Sequence, residues 1–173
     1  HALVLQLVAK SEPLHKITII PRGTAYLGAT MQLPEKDRYT ESLIKLKGML
    51  CGLMGGRAAE ELVLGDITTG AGNDLKQATH LARLMVCNWG MSETLGPQTF
   101  GAQEELLFLG REVARNQDFS EETARRIDIE VAKLLREAYQ QAMNILQQNR
   151  DKLDMIARLL LERETLDGRD IEE

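Results

Sequence analysis

Residues 55–79 constrain the fold of this chain most, because they end one helix, cross a short loop and begin another. The segment reads Gly-Gly-Arg-Ala-Ala-Glu-Glu-Leu-Val-Leu-Gly-Asp-Ile-Thr-Thr-Gly-Ala-Gly-Asn-Asp-Leu-Lys-Gln-Ala-Thr. The first helix is predicted over 40–63, from Thr40 to the residues before Gly65, and the second from Asn73 or Asp74 to about Trp89. Asp74 then lies in a first helical turn. Its carboxylate can serve there as a metal ligand, as a cap or as a partner of the helix dipole.

Most of the remaining sequence also predicts helices. Residues 1–10 contain no helix breaker and predict the tail of an apolar helix, which Ser11-Glu12-Pro13 ends. Ser120 begins a helix that runs to about Asn149, and another helix covers 151–163. Residues 90–118 are rich in Gly and are predicted to form a long loop. Apolar residues at helical spacing predict the core faces: Leu75, Ala78, Ala82, Met85, Val86 and Trp89; Ala124, Ile127, Val131, Leu134, Leu135, Ala138, Ala142 and Ile145; Leu153, Ile156, Leu160 and Leu161.

Four glycines interrupt the helix predicted over 40–63, namely Gly48, Gly52, Gly55 and Gly56. Each costs about 1 kcal/mol of helix stability relative to Ala. We expect the close approach of another backbone along this stripe to compensate.

One region predicts β structure. Lys16–Ile20 is a β-branched run, and from Thr24 to Leu33 apolar and other residues alternate until Pro34 ends the pattern. Two or three strands are expected here. The predicted fold is mainly α with a small β-sheet or hairpin.

Composition excludes several classes of protein. The net charge of the 173 residues is −5, and no Lys/Arg cluster is long enough to follow phosphates, so nucleic-acid binding is not expected. The most apolar window, 49–56, is far shorter than the roughly 20 residues that span a bilayer. Cys51 and Cys87 lie in apolar helical patterns and are predicted to be buried free thiols.

The first residue is His rather than Met, and we expect the chain to be cut from a longer one. No secretory signal pattern is present to explain processing. On a helix, His-Glu-x-x-His places two imidazoles on one face, where both can reach a zinc ion. If His1 is the second His of such a motif, the first His and the Glu lay upstream. Any helix that was cut at a His would begin in the same way, so this reading stays open.

Several long motifs resemble those of one protein family. They are His15-Lys16-Ile17-Thr18-Ile19-Ile20-Pro21-Arg22-Gly23, Leu27-Gly28-Ala29-Thr30-Met31-Gln32-Leu33-Pro34, Gly55-Gly56-Arg57-Ala58-Ala59-Glu60-Glu61, Thr69-Gly70-Ala71-Gly72-Asn73-Asp74-Leu75, Gly90-Met91-Ser92, Leu95-Gly96-Pro97, Phe108-Leu109-Gly110, Ser120-Glu121-Glu122-Thr123 and Glu164-Thr165-Leu166-Asp167. In this order they resemble the peptidase domain of the FtsH family of membrane-anchored, ATP-dependent zinc proteases. The resemblance covers essentially the whole chain.

The resemblance implies a site. His1 matches the last His of the family motif His-Glu-x-Gly-His, and Asp74 matches the third zinc ligand. Glu60 or Glu61 resembles a carboxylate that orients a ligand His. The strand with Leu27, Gly28, Ala29, Thr30 and Met31 would bind the polypeptide substrate as an added strand; an ordinary sheet edge is the alternative. The first zinc His and the catalytic Glu are absent from this sequence, so the chain alone is expected to be inactive.

The resemblance also implies a cofactor, which is zinc, and several partners. The partners are polypeptide substrates, which are unfolded or membrane proteins, and an ATPase module of the same polypeptide that uses ATP and Mg²⁺. The parent protein would form a homo-hexamer. A missing N-terminal anchor would hold the parent protein in a membrane, with this domain on the cytoplasmic, organelle matrix or stromal side. We expect one helical metallopeptidase domain over 1–173, with a metal-site core and small sheet in 1–110 and a helical part in 111–173.

Two other functions would suit single features of the sequence. A non-catalytic helical domain for oligomerisation or scaffolding would also suit the long helices after Ser120. A nucleotide-binding module is suggested by Gly70-Ala71-Gly72 ahead of a helix, but Asp74 would repel phosphate and no Gly-Lys-Ser/Thr is present. His15, expected in a loop before the first strand, and His80, on a polar helix face, are predicted to be structural or solvated.

Overall fold

The structure, a computed structural model, describes residues 1–8, 13–21, 28–32, 40–101 and 119–172. Its helices are α1 (Ala2–Leu7), α2 (Leu43–Leu64), α3 (Gly72–Arg83), α4 (Glu121–Gln148), α5 (Arg150–Arg163) and α6 (Gly168–Glu172). Its strands are β1 (Leu14–Thr18), β2 (Ala29–Gln32) and β3 (Thr165–Asp167). A 3₁₀ turn at Thr69–Ala71 precedes α3, and a π-helical turn at Leu84–Asn88 follows it. The predicted class, mainly α with a small sheet, is confirmed.

The ends of the long helices follow from local chemistry. Ser42 caps α2, because its hydroxyl accepts the Lys45 N–H at 3.3 Å, so the helix begins slightly later than Thr40. Gly65 ends α2 in the left-handed region, at φ +68°, where a residue without Cβ is favoured. Ser120 caps α4 as predicted and accepts the Thr123 N–H at 3.2 Å.

The core lies between α2 and α4, with α1 and α3 packed beside them. Its fully buried side chains are Val4, Leu50, Cys51, Met85, Val86 and Leu146, with Leu166 buried in β3. The predicted faces of α3 and α4 contribute Ala78, Ala82, Ile127, Val131, Ala138 and Ala142 to it.

Three residues predicted to be in the core are exposed instead. Leu75 is 36% exposed, Trp89 46% and Leu161 77%. These predictions were wrong because apolar spacing gives the direction of a helix face but not how far neighbouring elements cover it. Leu75 and Trp89 lie near the two ends of the α3 segment, and Leu161 lies on α5, which has no fully buried residue.

The sheet has the order β2-β1-β3, and both pairings are antiparallel. Ile17 of β1 lies opposite Thr30 on one side and Leu166 on the other. The third strand comes from the end of the chain and was not predicted. His15 lies in β1 with an exposed side chain, so its placement in a loop was wrong. The predicted strand residues 24–27 and 33 lie outside the described residues.

A buried carboxylate fastens the loop after the π-helical turn to α4. Glu130 accepts the Ser92 hydroxyl at 2.7 Å and the Thr94 hydroxyl at 3.0 Å. The Ser92 oxygen in turn accepts the Leu95 N–H at 3.1 Å. Residues 90–101 are irregular, as predicted, and the rest of the predicted loop, 102–118, lies outside the described residues.

Both cysteines are free thiols. Cys51 is fully buried on α2, and burial raises the pKa of its thiol to about 11. Cys87 is half-buried, and burial also raises its pKa. Among the helices that the structure describes, none combines the length and the apolar character needed to cross a bilayer.

Candidate metal centre

His1 and Asp74 come together although 72 residues separate them in the sequence. His1 precedes α1 as its N-cap, and Asp74 lies in the first turn of α3. The Nε2 atom of His1 lies 3.5 Å from Oδ2 of Asp74. Both side chains are partly exposed, 34% for His1 and 28% for Asp74, so the pair can be reached from solvent.

The backbone of α2 orients the His1 imidazole. Its Nδ1 lies 2.9 Å from the carbonyl oxygen of Gly52. A carbonyl can only accept, so this bond requires the proton on Nδ1. In the neutral ring Nε2 then carries a lone pair and faces the Asp74 carboxylate. A carbonyl on the far ring nitrogen is a usual way in which proteins fix a metal-binding imidazole.

The separation of the two atoms suits a shared zinc ion. Two ligand atoms, each about 2.1 Å from a tetrahedral zinc, lie about 3.4 Å apart. The observed 3.5 Å agrees with this value. Asp74 lies in the first turn of α3, at the helix end whose unpaired N–H groups attract anions, and carboxylate oxygens are ligands that zinc accepts. No group of three or more His, Cys, Asp or Glu side chains suited to a metal occurs in the described parts of the chain, so this pair would be an incomplete ligand set.

Glu60 holds the loop that leads to Asp74. Its Oε1 accepts the Thr68 hydroxyl at 2.9 Å, and its Oε2 accepts the Thr68 N–H at 3.2 Å. The Thr68 oxygen then accepts the Gly70 N–H at 3.1 Å and caps the 3₁₀ turn that runs into α3. The Thr-Thr-Gly sequence is a capping signal, but it does not show which acidic residue binds it.

Glu61 makes a different contact. It accepts a hydrogen bond from the Tyr139 hydroxyl of α4. Burial, followed by this bond and the negative charge of Glu61, raises the pKa of Tyr139 to about 12, against the lowering effect of Arg57. The contacts described for Glu60 and Glu61 thus join α2 to the 68–70 loop and to α4. Their role in orienting a ligand His stays a prediction.

The strand predicted to bind substrate lies at one side of the sheet. Ala29, Thr30 and Met31 belong to β2, which pairs with β1 on one side, and Met31 is 43% exposed. Gly28 precedes the strand and lies so close to Thr18 that a Cβ would be 2.7 Å from its carbonyl oxygen. Leu27 lies outside the described residues. Ala2, next to His1, packs with Leu14 and Ile17 of β1, which links the sheet to the helix that carries His1.

The other two histidines are exposed. His15 lies on β1, and His80 lies in the last turn of α3, at the opposite end of the helix from Asp74. The structure thus brings His1 and Asp74 together and leaves both other imidazoles apart from them. Sequence reasoning missed the Gly52 carbonyl, because a backbone acceptor leaves no motif, and the bond from Thr68 to Glu60, because the capping signal does not identify its acidic partner.

Comparison with known proteins gives one consistent result. The model of peptidase family M41 matches residues 1–173. The chain is similar to proteins named ATP-dependent zinc metalloprotease FtsH from several bacteria. The one from Acidobacterium capsulatum is 54% identical over 171 residues, 99% of this chain and 26% of the relative. The one from Magnetococcus marinus is 53% identical over 99% of this chain and 25% of the relative. For Thermotoga maritima the identity is 49%, over 97% of this chain and 28% of the relative. The chain thus spans about a quarter of the length of these curated relatives.

Proposed function

This chain belongs to peptidase family M41, and from that premise we propose that it is the peptidase domain of an ATP-dependent zinc metalloendopeptidase in which His1 and Asp74 bind the metal ion. The observation that supports this most is the 3.5 Å separation between His1 Nε2 and Asp74 Oδ2. The family match covers every residue from 1 to 173, and the relatives are named zinc metalloproteases.

Each residue of the proposed site has a separate task. The Gly52 carbonyl holds the proton on Nδ1 and turns Nε2 of His1 towards Asp74. Glu60 fixes Thr68 and so the loop that begins α3, which sets the position of the Asp74 carboxylate. Zinc bound by this pair would supply an activated water molecule and polarise the scissile carbonyl. In the family motif His-Glu-x-Gly-His, a first His and a Glu that acts as general base would complete the site.

We propose that substrate polypeptides bind along β2 as an added strand. Main-chain hydrogen bonds to Ala29–Gln32 would read an extended backbone rather than a particular sequence. This mode suits unfolded chains. The position of β2 beside β1, and the packing of β1 against Ala2, support a path from the sheet towards His1.

The names of the relatives support a wider proposal about the full-length protein. They are called ATP-dependent, and we propose that an ATPase module of the same polypeptide uses ATP and Mg²⁺ to deliver unfolded or membrane proteins to this domain. A homo-hexamer, a membrane anchor and a cytoplasmic, matrix or stromal location for this domain belong to the same proposal. All of these proposals concern a full-length protein, since the chain spans about a quarter of the length of its relatives.

We propose one domain over 1–173, with the metal-site core and sheet in 1–110 and the helical part in 111–173. Two contacts support it. Helix α4 packs on α2 and closes the same core, and β3 completes the sheet beside β1.

The test measures zinc and peptide hydrolysis in this chain and in a form that carries His-Glu-Ala-Gly ahead of His1. We expect about one zinc per extended chain by elemental analysis, less than one for the chain as it stands, and casein hydrolysis by the extended form. Asp74→Ala should remove both zinc and hydrolysis. Asp151→Ala is the matched control, because Asp151 also lies in a first helical turn but on α5.

The two variants separate the ligand role from a general effect of removing a helix-terminal carboxylate. Retained hydrolysis by Asp74→Ala would contradict the assignment of Asp74. An extended form that holds no zinc would contradict the proposed function and favour the non-catalytic helical domain.

A further inference from the structure

Three glycines of α2, Gly52, Gly55 and Gly56, face His1 and the helix that follows it. A Cβ built on Gly55 would lie 3.1 Å from Cα and 3.2 Å from the backbone nitrogen of His1. A Cβ on Gly52 would overlap the side chain of Leu5. A Cβ on Gly56 would overlap the His1 imidazole, with Nε2 as the nearest atom. Thus α1 lies against a strip of α2 that has no side chains.

Gly56 differs from its neighbours in what it contacts. The atoms nearest to it all belong to the imidazole ring, and the nearest is the one that faces Asp74. The other described constraint on the ring is the bond from Nδ1 to the Gly52 carbonyl. The ring is therefore held at Nδ1 by one glycine, while Nε2 occupies the space that a side chain at position 56 would take.

Backbone conformation does not require glycine at this position. Gly56 lies in the interior of α2 and is not among the residues with positive φ. In a helix interior, glycine costs about 1 kcal/mol relative to alanine. Replacing Gly56 by alanine would therefore stabilise the helix itself. The unfavourable effect of the replacement is the collision of the new Cβ with the His1 ring. Because the ring is the end of a rotatable side chain, it can move away while the two helices stay in place.

We propose that Gly56 is a positioning residue for the metal centre: its missing side chain provides the space that lets the His1 imidazole turn Nε2 towards Asp74. This inference rests on the proposed metal-binding role of that pair. In Gly56→Ala the fold should remain, and the ring should leave the position that faces the carboxylate.

The first readout needs no metal. The chain has three histidines, so long-range ¹H–¹⁵N NMR spectra can resolve each imidazole and report its tautomer. In metal-free Gly56→Ala we expect the His1 signals to move, while those of His15 and His80 stay unchanged as internal controls. The melting temperature of the metal-free variant should equal or exceed that of the original chain.

The second readout is zinc affinity, measured by competition with a chelator in the form extended by His-Glu-Ala-Gly. Residues that only orient a metal ligand typically change affinity by about 10- to 100-fold, and Gly56→Ala should lower it by that amount. Gly72→Ala is the matched control. Gly72 has a helical φ of −60°, and a Cβ there meets nothing within 4 Å. Its zinc affinity and His1 spectrum should remain those of the original chain.

Two results would overturn the proposal. One is unchanged zinc affinity together with unchanged His1 signals in Gly56→Ala. The other is a sharp fall in the melting temperature of metal-free Gly56→Ala, because the glycine would then serve the packing of the helices. If the extended original chain binds no zinc, the proposed function fails by itself, and the metal-free spectra still decide whether Gly56 positions the ring.

Discussion

The helices around the candidate metal centre and the helix near the C-terminus are built in different ways. Helix α2 contains Leu50 and Cys51, both fully buried, and its glycines let α1 approach closely. Helix α5 has no fully buried residue, and Leu161 on it is 77% exposed. Both segments show apolar residues at helical spacing. Apolar spacing therefore predicts a helix, whereas the burial of that helix depends on how many neighbouring elements cover it.

The largest expected effect lies in the core of α2. Leu50→Ala removes a fully buried side chain from α2, and such changes typically lower the free energy of unfolding by about 2–5 kcal/mol. Urea denaturation followed by circular dichroism measures it. A loss below about 1 kcal/mol would break the distinction between the two regions.

Alkaline pH should lower the stability of the fold through the buried thiol of Cys51 on α2. Burial raises the pKa of Cys51 from 9.0 to about 11, so the thiol of the unfolded chain loses its proton first as the pH rises. This stabilising contribution is complete below about pH 9 and is lost as the pH rises to about 11, by roughly 2 kcal/mol. Urea midpoints at pH 8 and pH 11 should fall less in Cys51→Ala than in the original chain. Equal falls would contradict the assignment.

The buried carboxylate of Glu130 on α4 should stabilise the fold through polar contacts rather than apolar ones. Glu130→Ala leaves the Ser92 and Thr94 hydroxyls without their acceptor. We expect about 1–3 kcal/mol of lost stability. Hydrogen exchange of the Leu95 amide should increase more than that of amides in α5. Unchanged exchange at Leu95 would show that the loop is held in another way.

The two adjacent glutamates of α2 form a matched pair. Glu60→Gln weakens the bonds to Thr68 and should lower stability by about 1 kcal/mol, and zinc affinity of the extended form by about 10-fold. Glu61→Gln should leave zinc affinity unchanged and lower the pKa of Tyr139 from about 12, as measured by ultraviolet titration. If Glu61→Gln weakens zinc binding and Glu60→Gln does not, the contact between Glu60 and Thr68 is not the one that supports the metal site.

The smallest effect is expected on α5. Leu161→Ala removes an exposed side chain, so the free energy of unfolding should change by less than about 0.5 kcal/mol. The same urea experiment as for Leu50→Ala measures it. A loss as large as that of Leu50→Ala would mean that another part of the chain covers Leu161 on α5.

Sequence reasoning reached much of the fold through local signals. Ser120 and Gly65 are a cap and a stop whose chemistry is local, so the ends of α4 and α2 could be predicted closely. Strand β3 has only three residues and forms by pairing with β1, from which nearly the whole chain separates it. The exposure of Leu75 and Trp89 likewise depends on distant neighbours, which a single sequence does not reveal.

The candidate site was predictable in part. A resemblance to the family assigned His1 and Asp74, and the structure brings the two side chains together. The glycines of α2 predicted a close approach of another backbone, and this is found at Gly55, which faces the backbone of His1, whereas Gly52 and Gly56 face the side chains of Leu5 and His1. The contacts of Gly52, Gly56 and Thr68 could not be predicted, because they depend on the relative position of helices that are distant in sequence.

The most direct test of the central claim is anomalous X-ray diffraction at the zinc edge, on crystals of the form extended by His-Glu-Ala-Gly. We expect one anomalous peak, about 2.0–2.2 Å from both Nε2 of His1 and a carboxylate oxygen of Asp74. A zinc peak that contacts neither side chain, in a protein shown by elemental analysis to contain one zinc, would contradict it.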